Sequence, residues 1–220
     1  MKKIILYTVN DGLFTLHIAK RICVDLNKKF SIDVFIGKPN FIRKIKVLLV
    51  FILFGSFSNL IFLFKKRAKL NDLSEIKNVN IINHNKKNYY FGLSMNYPKK
   101  IILKNYNIYN FHLGNFINQR GSFIFFYKYL YNWKTLDLTF HKINNKYDSG
   151  HILNQKTENI KNKNATDICL LYNSNYKFIK KSIGKITLKN KKKLIYGDLN
   201  IEPSFYLIMK VYILKTFKIY

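Results

Sequence analysis

The sequence predicts an α/β protein built on a parallel sheet, and three observations carry that expectation. The first is the apolar run IILYTV, which closes on Asn10-Asp11-Gly12 as a buried strand closes on a turn. The second is the helically spaced set Leu13, Leu16, Ile18, Ile22 and Leu26, with Lys20, Arg21, Lys28 and Lys29 at its polar end. The third is SIDVFIG, Ser31 to Gly37, which reads as another strand. Strand, helix and strand in this order make a βαβ unit, whose strands run parallel. The first turn carries no G-x-G-x-x-G, so the dinucleotide-binding fingerprint is absent.

Composition bounds the rest. With 220 residues and 48% hydrophobic content the chain can build a full core, and the length suits one domain over 1–220. Cys23 and Cys169 are too few for a disulfide scaffold and fit a reducing compartment. IILYTV is too short for a secretory apolar core and lacks a small-residue cleavage site, so a cytoplasmic location is expected. The formal net charge of +28 suggests a polyanionic partner, yet only Arg21, Arg43, Arg67 and Arg120 are arginines. Arginine makes the bidentate contacts to phosphate and guanine. Lys, Asn and Ile recur along the whole chain. Genome composition therefore weighs more than nucleic acid as the source of the charge.

Val47 to Phe64 is uncharged and long enough for a membrane-span candidate. Gly55-Ser56-Phe57-Ser58-Asn59 interrupts it, and one crossing would separate the first βα unit from all later strands. Two short apolar helices are expected instead, within an apolar helical insertion at 43–70. They pack on the sheet, or 47–64 makes peripheral contact with anionic lipid at the inner membrane face through its basic flanks.

Further elements follow in order. Asn78–Ile82, Tyr89–Met95, Ile101–Leu103 and Ile108–Phe111 read as short strands. Phe123–Trp133 reads as an aromatic helix capped by Ser122. Leu136–Ile143 alternates as a strand and pairs with His151–Thr157 across the turn NNKYDSG. Ala165–Ile183 is expected as one amphipathic helix and Pro203–Phe217 as the last. The lysine run Lys189–Lys193 reads as a loop or solvated face.

Chemistry concentrates in two places. In Tyr109-Asn110-Phe111-His112-Leu113-Gly114, Asn110 and His112 share one side of a strand that ends in a turn. In a parallel sheet that end opens into the ligand crevice. Tyr147-Asp148-Ser149-Gly150 sets a carboxylate in a tight turn. An amide donor, an imidazole and a carboxylate suit acyl-type transfer, holding an oxyanion, moving a proton and orienting the imidazole. Taken alone, a capping Asn and a satisfied structural His are the commoner explanation of the first pair.

Order and spacing add a resemblance. NFHLGNFINQRG (Asn110 to Gly121), an aromatic helix, then LTFHKINNKYDSGHILNQ (Leu138 to Gln155) resembles the formyltransferase family that uses 10-formyltetrahydrofolate. Asn110 and His112 fall on that family's N-x-H, Arg120-Gly121 on its R-G, and Asp148 with Gly150 on its D-x-G. His141 falls where the family often has a strand histidine. Two positions depart: Gly114 replaces the family's Ser and Ile117 its Pro, which loosens the loop.

The resemblance implies a three-layer, Rossmann-like, mostly parallel sheet with helices on both faces. It implies catalytic roles for Asn110, His112 and Asp148, with Asn110 holding the oxyanion, His112 moving the proton and Asp148 orienting His112. It places 10-formyltetrahydrofolate against Leu93, Ser94, Met95, Asn96, Tyr97, Tyr147 and Gly150, with no metal. The expected acceptor is a small-molecule primary amine, first a nucleotide-linked amino sugar, then glycinamide ribonucleotide, then methionyl-tRNA. A tRNA-binding domain has no room after Gln155, so nucleic acid is the less favoured partner. The rival of another class is a non-catalytic basic membrane-surface or nucleic-acid-binding protein on a degenerate copy of this fold.

Overall fold

The computed structural model describes residues 1–10, 15–56, 71–83, 88–97, 101, 106–144, 148–186 and 198–217. Along the chain run β1 (Lys2–Val9), α1 (Thr15–Leu26), β2 (Phe30–Gly37), α2 (Phe41–Phe54), the short α3 (Asn71–Ser74), β3 (Val79–Ile82), β4 (Gly92–Met95) and β5 (Ile108–Leu113). Then come β6 (Arg120–Gly121), α4 (Ile124–Leu130), β7 (Thr135–Ile143), β8 (Gly150–Asn159), α5 (Ala165–Cys169), α6 (Leu171–Ser174), α7 (Tyr176–Ile183), β9 (Leu199–Asn200) and α8 (Phe205–Thr216).

Seven strands form one sheet in the order β3-β2-β1-β4-β5-β7-β8. The first five run parallel, β7 lies antiparallel to β5, and β8 antiparallel to β7. The α/β class and the opening βαβ unit are as the sequence predicts. Alternation along the strands divides the apolar residues between the two faces. Ile4, Leu6, Ile32, Val34, Leu93, Phe111 and Phe140 join a large core with the buried faces of α1, α2 and α4–α8. Ile5, Tyr7, Tyr89, Tyr106 and Ile108 form a smaller cluster to which no described helix contributes, and the Tyr7 and Tyr106 hydroxyls meet at 2.8 Å. The ligand-binding end of such a sheet lies where strand order reverses, at the carboxyl ends of β1 and β4.

Several elements differ from the sequence reading. Phe123, in the left-handed region at φ 57°, caps α4, and no side chain does so; Ser122 is therefore not the cap. The stretch 165–183 breaks into three helices, at Leu170 and at Asn175. The Ser174 hydroxyl donates to the Leu171 carbonyl at 3.0 Å, competing with helix propagation. Its start is a full capping box, Asn164 with Asp167. Only Gly92–Met95 of the expected strand Tyr89–Met95 is paired as a strand. The two-stranded ribbon of β6 and β9 has no signal in the sequence.

α2 ends at Phe54, next to Gly55, and buries Val50, Phe51 and Phe54 in the main core. The expected second apolar helix falls within 57–70, all of which lies outside the described residues, as do Ile102, Leu103 and Lys189–Lys193. No described helix is long and apolar enough to cross a membrane.

Candidate active site

A cavity of about 460 Å³ opens at the carboxyl ends of the parallel strands, within the range that holds a small ligand. Its lining includes Val9 at the end of β1, Asn96 and Tyr97 after β4, and Asn110 and His112 of β5. Asp148 of the β7–β8 turn and Phe123 before α4 also face it. A whole wall comes from α2, through Arg43, Lys44, Val47, Leu48 and Phe51.

Strand geometry explains how the polar groups converge. Asn110 and His112 are two apart on β5 and emerge on one face. In register, Ser94 of β4 lies beside Asn110 on one side and His141 of β7 on the other. His112 is buried, with its Nε2 at 2.9 Å from the Gln119 carbonyl. A carbonyl only accepts, so Nε2 carries the hydrogen and donates it. The other ring nitrogen, Nδ1, faces Asp148 Oδ1 at 3.5 Å. The Asn110–His112–Asp148 constellation predicted from the sequence is thus assembled around one cavity.

Its supports lie in the loop after β5. The Gly114 N–H donates to the Asp137 carbonyl at 2.6 Å, and Thr139 Oγ1 donates to the Gly114 carbonyl at 2.6 Å. Gln119 Oε1 accepts from the N–H groups of Asn115 and Asp137. Gly114 sits at φ 132°, and a Cβ there would collide with the Gln119 carbonyl that holds His112. Glycine at this position is thus required by the loop that anchors His112. On the other side, Arg120 Nε donates to the Asp148 carbonyl at 3.1 Å, fixing the turn that presents the carboxylate.

The remaining predicted residues divide. Asn96 and Tyr97 line the cavity, and burial raises the Tyr97 phenol above its ordinary pKa. Leu93 and Met95 point into the main core, Ser94 is buried beside Asn110, and Gly150 lies beneath the Asp148 turn. Tyr147 lies outside the described residues. Sequence reading did not single out the α2 wall or Gln119. Nothing local marks them, because their roles arise from tertiary contacts. Among the described residues no group of three or more His, Cys, Asp or Glu side chains is placed to hold a metal ion.

His141 is buried between Asn110 and Ser149. Burial, with a smaller contribution from His112, pushes its pKa down from 6.5 to about 3. The unfolded chain therefore takes up a proton between those values that the folded protein does not. Stability falls as pH is lowered from 6.5 towards 3. Urea unfolding across that window should show a dependence on pH that is weaker by about one proton in His141→Gln. An unchanged slope in that variant would contradict a neutral buried imidazole.

No protein-family model and no curated protein sequence matches the chain. Solved structures do. A sugar 3N-formyl transferase, solved with dTDP and 5-N-formyl-THF, matches with a TM-score of 0.62 and 19% identity, over 91% of this chain and 70% of that one. A 4-N formyltransferase from Francisella tularensis matches with a TM-score of 0.57 and 18% identity, over 91% and 76%. Phosphoribosylglycinamide formyltransferase from Campylobacter jejuni matches with a TM-score of 0.55 and 13% identity, over 84% and 97%. The chain therefore has the α/β fold of these formyltransferases.

Proposed function

We propose that the protein transfers the formyl group of 10-formyltetrahydrofolate to the primary amine of a small, phosphate-bearing acceptor, with a nucleotide-linked amino sugar as the first choice. The observation that carries this reading is the convergence of Asn110, His112 and Asp148 on one cavity at the carboxyl ends of the strands. The solved relatives in fold add support, since by name one is a sugar 3N-formyl transferase, one a 4-N formyltransferase and one a phosphoribosylglycinamide formyltransferase.

The residues divide the chemistry as follows. The acceptor nitrogen bonds to the formyl carbon, and the bond from that carbon to the donor's N10 breaks. Asn110 Nδ2–H donates to the formyl oxygen as negative charge develops there, an interaction worth roughly 3–4 kcal/mol in comparable oxyanion sites. The acceptor amine loses one proton and N10 gains one. Because Nε2–H of His112 is committed to Gln119, the edge left for that relay is Nδ1, facing Asp148. Asp148 balances the positive charge on His112 while the proton is in transit. Val47, Leu48 and Phe51 give the cavity an apolar wall for the flat pterin ring, and Lys44, beside an Arg43 that is paired with Glu202 at 3.2 Å, puts positive charge at the same wall for phosphate or the folate glutamate.

The test is a formyl-transfer assay with mass-labelled donor against amino-sugar nucleotides, glycinamide ribonucleotide and methionyl-tRNA. Transfer to the first, with little to the others, is expected. Transfer to none, with salt-sensitive binding to RNA, would support the non-catalytic rival.

A cytoplasmic, membrane-peripheral setting belongs to the same reading. Both cysteines are buried free thiols. The exposed residues Phe41, Ile45 and Ile52 form a stripe on α2, and Tyr206, Met209 and Ile213 one on α8, continued by Phe217 just beyond its end. The two helices touch through Phe54 and Tyr212, and Lys44 and Lys210 are exposed beside the stripes. Apolar stripes with lysine rims suit an anionic bilayer surface. Co-sedimentation with phosphatidylglycerol vesicles, several-fold weaker in Ile52→Glu/Ile213→Glu, is expected. Equal recovery of both proteins would remove membrane contact through this face.

A further inference from the structure

The geometry points to His141 as the positioning residue that decides which edge of the Asn110 amide faces the cavity. It rests on the formyl-transfer reading, because an oxyanion needs an N–H donor and is repelled by a carbonyl oxygen. An Asn side chain presents either edge with little difference in shape, so something outside it must choose.

Hydrogen-bond polarity makes the choice. His141 stands directly opposite Asn110 across the β5–β7 pair, 1% exposed, its ring and that of Phe116 perpendicular at 4.7 Å and 89°. Its Nδ1 is 3.1 Å from the Ser149 carbonyl, which accepts only. Nδ1 therefore carries the hydrogen, and a neutral ring leaves a lone pair on Nε2. That lone pair lies 3.2 Å from Asn110 Nδ2 and takes one of its two hydrogens. The flipped amide would set Oδ1 against the same lone pair, two acceptors in a buried space. The carbonyl of Ser149 thus fixes the tautomer of His141, and the tautomer fixes Asn110 with its second Nδ2–H free for the substrate. Ser149 adjoins Asp148, so one turn sets the orientation of two of the three groups proposed for catalysis.

Two substitutions separate this role from mere packing. His141→Phe keeps a flat ring of similar size but cannot accept a hydrogen bond, whereas His141→Gln offers an Oε1 acceptor to Asn110. We expect kcat to fall about tenfold to a hundredfold in His141→Phe, with KM for both substrates changed less than threefold. His141→Gln should recover at least part of the loss at equal thermal stability. Combining His141→Phe with Asn110→Ala should cost no more than Asn110→Ala alone, because the first acts only through the second. Multiplicative losses in the double variant, or equal kcat in the Phe and Gln variants, would overturn the role while leaving formyl transfer in place. Wild-type protein without transfer to any acceptor would instead overturn the functional reading and the role with it. Nitrogen-15 NMR of labelled wild-type protein gives a readout that needs no activity. It should show a neutral Nδ1–H ring at pH 7, and an Nε2–H ring would overturn the assignment.

Discussion

Asp148→Asn is expected to lower kcat for formyl transfer by about 10²–10⁴-fold, the usual range for losing a positioned acid–base partner, while leaving the fold intact. The reasons are local. Asp148 holds its turn at φ 40°, a backbone region that Asn adopts as readily as Asp. The Arg120 contact uses the Asp148 backbone carbonyl, which the substitution does not touch. Only the charge opposite His112 Nδ1 is lost, and with it the partner that balances an imidazolium while the proton moves from amine to N10. KM for donor and acceptor should change little, and the melting temperature should stay within a few degrees. Steady-state kinetics with the preferred acceptor decides: turnover like wild type would remove Asp148 from the mechanism.

Much of this site was legible because its residues fall on a short, ordered pattern. Asn110 and His112 needed only the period of a strand to be placed on one face, and Asp148 only a Gly-containing turn between two strands. The resemblance then supplied their order. What could not be read was the scaffold that aims them. Gln119 holds His112 through a main-chain carbonyl, which has no side-chain signature. Gly114 looked like a bare departure from the family's Ser, whereas its positive φ lets the loop fold back to hold His112. The fold shows the same division. The strongly periodic β1, α1 and β2 matched their expected places, because burial on both sides leaves little freedom. The stretch 165–183 did not: it breaks at Leu170 and at Asn175, and next to the second break Ser174 bonds the Leu171 carbonyl of its own turn.

The α2 segment divides one strong sequence signal between several uses. Its apolar length drew attention to membranes, yet Val50, Phe51 and Phe54 are buried in the main core and Leu48 and Phe51 wall the cavity. The +28 charge is similar. It announces a polyanion from the sequence, but Asn110 and His112 carry no formal charge at pH 7 by that count. Arg43 and Lys44 are the basic residues that line the cavity. Net charge can draw an anionic substrate inward; the local field at the site decides what happens to it.

Phe140→Ala is expected to carry the largest loss of stability, about 3–5 kcal/mol for a fully buried aromatic ring. Phe140 is fully buried on β7, packed against Phe111 at 4.4 Å and Tyr109 at 5.8 Å between ring centres. Phe111 is its register partner across the β5–β7 pair. Those rings lie on the core side of the two strands, and Asn110 and His141 lie on the other side, one residue along in each. Truncation leaves a cavity that rigid neighbouring strands cannot close, so the cost includes more than the lost burial. In a chain of this length the melting temperature should fall by roughly 6–20 °C. The consequence for activity differs in kind from that of Asp148→Asn. Well below its melting temperature the variant should retain kcat within a few-fold, because no reacting group is altered. Its activity should then collapse at a temperature that tracks unfolding by circular dichroism. A fall in kcat of a hundredfold at low temperature, with unfolding unchanged, would mean that the β5–β7 pairing positions Asn110 more delicately than packing alone requires.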